Sequence, residues 1–171
     1  MELGCARLKG EACPHCGKHG TLNRHGWLLG SEESGQGKEA RRGRRLYCSN
    51  RGKRRGCGRT VSVRPANLLR GMRTRSGPLW QYLRRVMSGE SVCRAWEGLE
   101  RVFSLESAYR YRRRLRQGQY RIREILCRER APPCGAAGGA EVMLAHLEGV
   151  LGRSGDLLSR FQLHFQERWP G

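Results

Sequence analysis

The sequence predicts an α+β chain in two parts: a small β module held by a metal, followed by an all-α bundle with further helices at its C-terminal side. Three observations predict it. Cysteine-bearing turns flank short β-type stretches between residues 13 and 63, and beyond Pro65 the apolar period lengthens from two to about 3.6. Leu, Ile, Val and Phe make up only 32 of 171 residues, against a net charge of +19, too little apolar surface for one large core. A small module short of apolar surface needs a staple, and eight cysteines supply it. The expected divisions are 1–66, 67–130 and 131–171.

The first part is anchored by Cys13-Pro14-His15-Cys16-Gly17, then Tyr47-Cys48 and Cys57-Gly58-Arg59-Thr60. Two thiolates separated by two residues reach one ion from a tight turn, and the glycine after the second takes the positive φ that such a turn needs. Residues 21–29 and 45–47 suit short strands, and Thr60-Val61-Ser62-Val63 is a β-branched alternation. Residues 31–43, rich in Gly, Ser and charge, read as the hairpin loop between them. This is the outline of a zinc ribbon, with Cys13, Cys16, Cys48 and Cys57 as the ligands of one structural Zn²⁺. The eight-residue insert between Cys48 and Cys57 exceeds the usual two to four, so His15, His19 and His25 are weighed as substitute ligands, and a redox dithiol as the non-metal alternative. Cys5, Cys93, Cys127 and Cys134 form no second pair at ligand spacing; they read as buried small residues or free thiols, with Cys5 near enough to the first turn to be a fifth candidate.

Charge locates the surface. Residues 40–89 carry fifteen basic side chains and no acidic one, whereas residues 1–39 are balanced and 131–171 carry three basic against four acidic. Fifty residues without a carboxylate repel one another unless a polyanion neutralises them. Thirty of the 34 cations are Arg, whose planar fork suits phosphates and guanine edges. Arg41, Arg42, Arg44, Arg45, Arg51, Lys53, Arg54, Arg55 and Arg59 are the expected backbone grip.

The helical part begins with Leu79, Tyr82, Leu83, Val86 and Met87 on one face of a helix that Gly89 ends. Val92, Ala95, Trp96 and Leu99 define a short second helix. Ser104 caps a third, with Phe103 placed to staple onto Ala108. Three such helices make a helix-turn-helix unit. On a 100° wheel Leu105, Ala108, Tyr111 and Leu115 share one side of the third helix. Glu106, Ser107, Arg110, Arg113 and Arg114 share the other. Arg110 and Arg113 are the expected base contacts, Ser107 and Arg114 lie nearer the phosphates, and Arg112 and Arg116 flank the apolar side. Tyr109 either stacks or packs. A further helix near 119–129 either continues the third or folds back, with Gly118 the expected break, and 131–139 reads as a linker. Beyond it, Val142, Met143, Leu144, Leu147, Val150 and Leu151 form one helix, and Asp156 caps another bearing Leu157, Leu158, Phe161, Leu163 and Phe165. Their apolar sides either cover the bundle or meet a protein partner, which includes a second copy of the chain.

These features narrow the function. Asp156 is the only aspartate, and two-metal nucleic-acid chemistry needs clustered carboxylates; no phosphate loop, nucleophile elbow or His-rich hydrolase motif appears, so no catalytic site is expected. No apolar run approaches the roughly 18 to 20 residues of a spanning helix, and Met1-Glu2-Leu3-Gly4 lacks a signal-like basic region, so a cytoplasmic, nucleoid-associated protein with no membrane role is expected.

The Cys-Pro-His-Cys-Gly run, with Tyr47-Cys48-Ser49-Asn50 and Cys57-Gly58-Arg59-Thr60-Val61, resembles the zinc ribbons of phage late-gene activators of the Ogr/Delta type. It is also similar to the N-terminal ribbons of insertion-sequence transposases. The likeness covers about residues 13–63; Val61 stands where those transposases have Phe, and the insert departs from both families. Ser104-Leu105-Glu106-Ser107-Ala108-Tyr109-Arg110 is similar to the helix-turn-helix that often follows such ribbons. The resemblance implies a nucleic-acid binder, DNA favoured over RNA, acting as an accessory or regulatory factor of a mobile element. The alternatives are an RNA-binding subunit of a ribonucleoprotein and a transposase- or nuclease-related enzyme.

Overall fold

The protein, seen in a computed structural model, is described over residues 8–31, 39–51, 55–69, 72, 74–99, 104–133, 139–167 and 169. It is an α+β chain: a three-stranded antiparallel sheet followed by helices. The described residues fall into two compact units, dividing between Pro65 and Ala66. Lys53, Arg54, Cys5, Cys134, the Phe103 staple and most of the expected hairpin loop and linker lie outside the described residues.

In the first unit, strands β1 (Leu22–Ser31), β2 (Glu39–Cys48) and β3 (Thr60–Val63) are ordered β1-β2-β3. Leu22 pairs with Cys48, and Tyr47 lies between Asn23 and Thr60. Side chains alternate between sheet faces. Leu46 and Cys48 are buried with Leu22 and Cys13, whereas Arg45 is exposed and Tyr47 half-buried. The register slips twice, leaving His25 as an extra residue on β1 and Arg42 on β2. Residues 39–43, expected in the hairpin loop, belong to β2 instead. The Arg44 and Arg41 guanidiniums lie 3.3 and 4.5 Å from the Trp27 ring centroid, and this stacking extends the ladder through a stretch with weak strand propensity. Among the described residues this core cluster has four buried members, so apolar burial holds the unit only weakly.

The second unit has helices α1 (Ser76–Met87), α2 (Val92–Glu97), α3 (Leu105–Leu126), α4 (Ala140–Leu151) and α5 (Leu157–Phe165). Ser91 caps α2, its hydroxyl accepting from the Arg94 amide at 3.4 Å; Ser104 occupies the N-cap position of α3 without a side-chain cap bond. Tyr82, Trp96 and Tyr111 join α1, α2 and α3: Tyr82 and Trp96 meet edge to face at 5.2 Å, Trp96 and Tyr111 at 5.9 Å. The Tyr82 hydroxyl donates to the Ala108 carbonyl at 2.9 Å, and burial pushes its pKa up to about 12. Gly118 does not break α3. It is buried within a continuous helix about 33 Å long, where packing outweighs roughly 1 kcal/mol of lost helix propensity.

The C-terminal helices share the core of the bundle. Met143, Leu144, Leu147, Leu151, Leu157, Leu158 and Phe161 are buried in the same cluster as Leu79, Trp96 and Ile122, while Leu163 is exposed. His146 donates from Nε2 to the Arg130 carbonyl at 2.8 Å, joining α4 to the end of α3. Asp156 accepts from the amides of Leu158 and Ser159, and from the hydroxyls of Ser159 and the buried Ser76, so it ties the start of α5 to the start of α1. No helix among the described residues is long and apolar enough to cross a membrane.

Candidate metal centre and basic surface

The sulfur atoms of Cys13, Cys16, Cys48 and Cys57 all lie within 4.8 Å of one another. The Cys13–Cys57 and Cys16–Cys48 pairs are each 3.8 Å apart. Metal–sulfur bonds of about 2.3 Å at tetrahedral angles place sulfurs about 3.8 Å apart, so the four side chains can hold one ion as a four-thiolate tetrahedron. A disulfide is far shorter, at about 2.05 Å. Cys13 and Cys48 are buried, Cys16 half-buried and Cys57 exposed. His15, His19 and His25 are not in this group. His19 Nδ1 pairs with the Gly10 carbonyl at 3.0 Å, and His25 packs on Tyr47. Cys93 and Cys127 stand apart from the cluster as free thiols.

Backbone hydrogen bonds explain how the long insert is accommodated. In the first turn the Gly17 amide donates to the Cys13 carbonyl at 2.8 Å; in the second the Gly58 amide donates to the Cys48 carbonyl at 3.0 Å. Gly17 and Gly58 have φ of 70° and 71°, a left-handed conformation that favours glycine. The two turns are thus equivalent, although one has two residues between its cysteines and the other eight. The Gly56 amide donates to the Ser49 carbonyl at 2.6 Å. Ser49 and Gly56 therefore stand where the two intervening residues of a short turn would be, the chain leaving the turn after Ser49 and rejoining it at Gly56. Lys18 Nζ donates to the Arg55 carbonyl at 2.6 Å, tying the returning end to the first turn. A Cβ on Gly56 would meet Cys48 Sγ at 2.3 Å and the Ser49 carbonyl at 2.6 Å, so no other residue fits there without displacement.

The sulfurs differ electrostatically. Thr21 Oγ1 lies 3.1 Å from Cys48 Sγ, and the Cys57 amide donates to the same sulfur at 3.3 Å. The Thr21 hydroxyl bond is the main influence that brings the Cys48 thiol down to about 6, against the opposing effect of burial. Cys57 moves the other way, to about 11: the Arg59 amide favours its thiolate, but burial and the hydrogen bonds among the neighbouring thiols outweigh it. The cluster thus holds one ready thiolate and one reluctant thiol, and an ion entering it displaces protons. Neither Thr21 nor Gly56 is recognisable from cysteine spacing; each matters through the register that sets it against Cys48.

The expected nucleic-acid contacts divide. Arg45, Arg51, Arg55 and Arg59 are exposed, and with Arg24 their guanidiniums have no hydrogen-bond or ion-pair partner among the described residues. Arg41 and Arg44 stack on Trp27, and Arg42 is half-buried in its bulge. On α3, Arg110 and Arg113 are exposed and line one shallow recess with Glu106, Tyr109, Arg112 and Arg116. Tyr109 is half exposed, its hydroxyl 4.0 Å from Cys93 Sγ. Ser107, expected on the outward side, is buried, and its hydroxyl accepts from Arg110 Nη2 at 3.1 Å. The buried arc runs 107, 111, 115, 118, 122, so Ser107 positions an arginine and faces away from solvent. Arg114 is half-buried and engaged. Comparison with models of protein families, with curated proteins and with solved structures finds no match for this chain.

Proposed function

We propose that the protein is a zinc-stapled nucleic-acid-binding protein that grips DNA through the basic surface of its sheet and reads it with α3. The observation that carries this reading is the set of guanidiniums at Arg24, Arg45, Arg51, Arg55 and Arg59, exposed around the cysteine cluster without partners among the described residues. A structural salt-bridge network would pair such groups, and a phosphate backbone supplies the missing anions. Zinc is the ion that best suits four thiolates at tetrahedral edges; the sheet then forms a zinc ribbon whose small core the metal completes. Helices α1 to α3 act as a helix-turn-helix, with Arg110 and Arg113 directed at base edges and Ser107 holding Arg110. The resemblance to phage activators and transposase ribbons gives the role: an accessory or regulatory DNA binder of a mobile element, with no catalytic site of its own.

The test is binding of the zinc-loaded full chain to duplex DNA across salt concentrations. If about six phosphates are neutralised, log K falls with log salt at a slope of about −5. A flat response overturns the reading, and tighter binding to folded RNA than to duplex at matched salt moves it to the ribonucleoprotein class.

A further inference from the structure

Beside the cysteine cluster, the sheet carries a recess of about 540 Å³ lined by His25, Tyr47, Ser49, Asn50 and Arg51. Of its lining, Arg51 alone belongs to the phosphate grip, and none of it belongs to the metal cluster. The β1 bulge places His25 next to Tyr47, with ring centroids 5.7 Å apart at 38°. Bulges re-aim side chains in this way, often at binding sites. The Tyr47 hydroxyl donates to Asn50 Oδ1 at 3.1 Å, which fixes the amide and leaves Nδ2 without a partner among the described residues. The Arg51 amide donates to Ser49 Oγ at 3.2 Å, holding the start of the excursion against the recess. Arg51 and, two residues from Tyr47 along β2, Arg45 are exposed cations without partners among the described residues.

Two neighbouring aromatic rings, an oriented amide donor and flanking guanidiniums are the parts of a site for one unpaired base. The rings offer a π-face to stack on, the amide meets a base-edge acceptor, and the cations meet the adjoining phosphates. A base inside a duplex has both faces covered by its neighbours, and the terminal pair of a blunt end has its pairing edges occupied, so neither enters as an unpaired base does. We propose that this recess binds a single unpaired nucleobase at a DNA end or junction, so that the ribbon distinguishes tailed from blunt duplex. The proposal rests on the DNA-binding reading above and adds to it the structure of the DNA recognised.

The experiment compares a blunt duplex with the same duplex carrying a 5′ or a 3′ tail of about six unpaired nucleotides, using the zinc-loaded full chain. Wild type is expected to bind one tailed form about tenfold more tightly than the blunt form, in line with the stacking of one base. His25→Ala and Asn50→Ala, both at exposed positions, reduce that preference towards parity while blunt-duplex affinity and zinc content stay unchanged. Tyr47→Phe keeps the ring and loses the bond to Asn50, so it retains stacking and gives a partial loss. Equal wild-type affinity for blunt and tailed DNA, with a steep salt slope for both, overturns the recess and leaves the DNA-binding reading standing. A tail preference unchanged in both alanine variants assigns the tail to another surface and also overturns the recess. No salt-dependent binding to any of these DNAs overturns both.

Discussion

The Gly56 amide donates to the Ser49 carbonyl at 2.6 Å, closing an excursion of six residues at the base of the second cysteine turn. This bond makes Cys48 and Cys57 behave as if two residues separated them. Deleting residues 50–55, which joins Ser49 directly to Gly56, is therefore expected to preserve one zinc per chain, while removing Arg51, Lys53, Arg54 and Arg55 weakens DNA binding. Gly56→Ala is expected to do the reverse, costing about ten- to a hundredfold in metal affinity, because its methyl group would collide with Cys48 Sγ. Competition with a chromophoric chelator measures both. A deletion variant that loses zinc would show that the excursion is part of the fold of the turn.

Thr21 sets which sulfur gives up its proton first. With Cys48 near 6 and Cys57 near 11, zinc uptake at about pH 7.5 should release about one proton fewer than at about pH 5.5, since Cys48 is already ionised at the higher pH and Cys57 is protonated at both. In the metal-stripped protein, the depressed Cys48 stabilises the fold above its unfolded value of 9.0 and loses that contribution as pH falls through about 6. Thr21→Val removes the main cause, so the change in proton count moves upward towards the ordinary thiol range. Calorimetry in buffers of different ionisation enthalpy gives the count; an equal count at both pH values in wild type would sink this assignment.

Metal removal should act on one unit. Among the described residues the apolar cluster of the sheet unit contains four buried side chains, Cys13, Leu22, Leu46 and Cys48, whereas the helices share an extensive core from Leu69 to Trp169. Chelation, or Cys48→Ser, is expected to lower amide protection in β1 and β2, leaving a folded but weakened sheet, and to leave the helical circular dichroism in place. Simultaneous loss of both signals would mean that the helical unit depends on the metal.

Several of these relationships were legible in the sequence, and their limits are instructive. Cys13-Pro14-His15-Cys16-Gly17 announces its turn because ligand spacing and the following glycine are local requirements. The apolar period similarly announces α1 and α2: Leu79, Tyr82, Leu83, Val92, Ala95 and Trp96 are buried as the pattern selects, while Ser76 and Trp80 are buried without being selected by it. What was not legible depends on partners distant in sequence. Ser107 looks outward on an ideal wheel, yet its place one turn before Tyr111 puts it at the edge of the buried arc. Gly118 looks like a break until its packing inside α3 is known. His25 lies close enough in sequence to the first turn to be a candidate ligand, but a bulge set by pairing with β2 turns it towards Tyr47. The second cysteine turn looks irregular by spacing and is regular by hydrogen bonding.

Asp156 is a structural residue, and its replacement should show as lost stability. It caps α5 and receives the hydroxyl of Ser76, which is itself buried. Asp156→Ala removes a cap worth about 0.5–2 kcal/mol and leaves the Ser76 and Ser159 hydroxyls, 2.7 Å apart, with each other as partners. The expected destabilisation of the helical unit is about 1–2 kcal/mol in urea titrations. Asp156→Asn keeps an acceptor for both amides and should cost less than the alanine. A change below about 0.5 kcal/mol for the alanine would mean that the junction between α1 and α5 is not held this way.

The unpaired arginines lend themselves to a test with an internal control. Arg24, Arg45 and Arg59 each present a guanidinium without a partner among the described residues, so each is free to displace a counterion from DNA. Arg121 is also exposed, but Glu124 at 2.9 Å and Glu167 at 3.6 Å already neutralise it. Replacing any of the first three by Gln should reduce the salt slope by about one and weaken binding to all duplexes alike. The Arg121→Gln variant should leave the slope unchanged. Arg113→Gln should behave differently from both groups, because a base contact costs about 1–3 kcal/mol on the preferred sequence and little on others. If Arg121→Gln lowers the slope as much as Arg45→Gln does, binding follows net charge alone and the placement of cations around the cysteine cluster has no part in it.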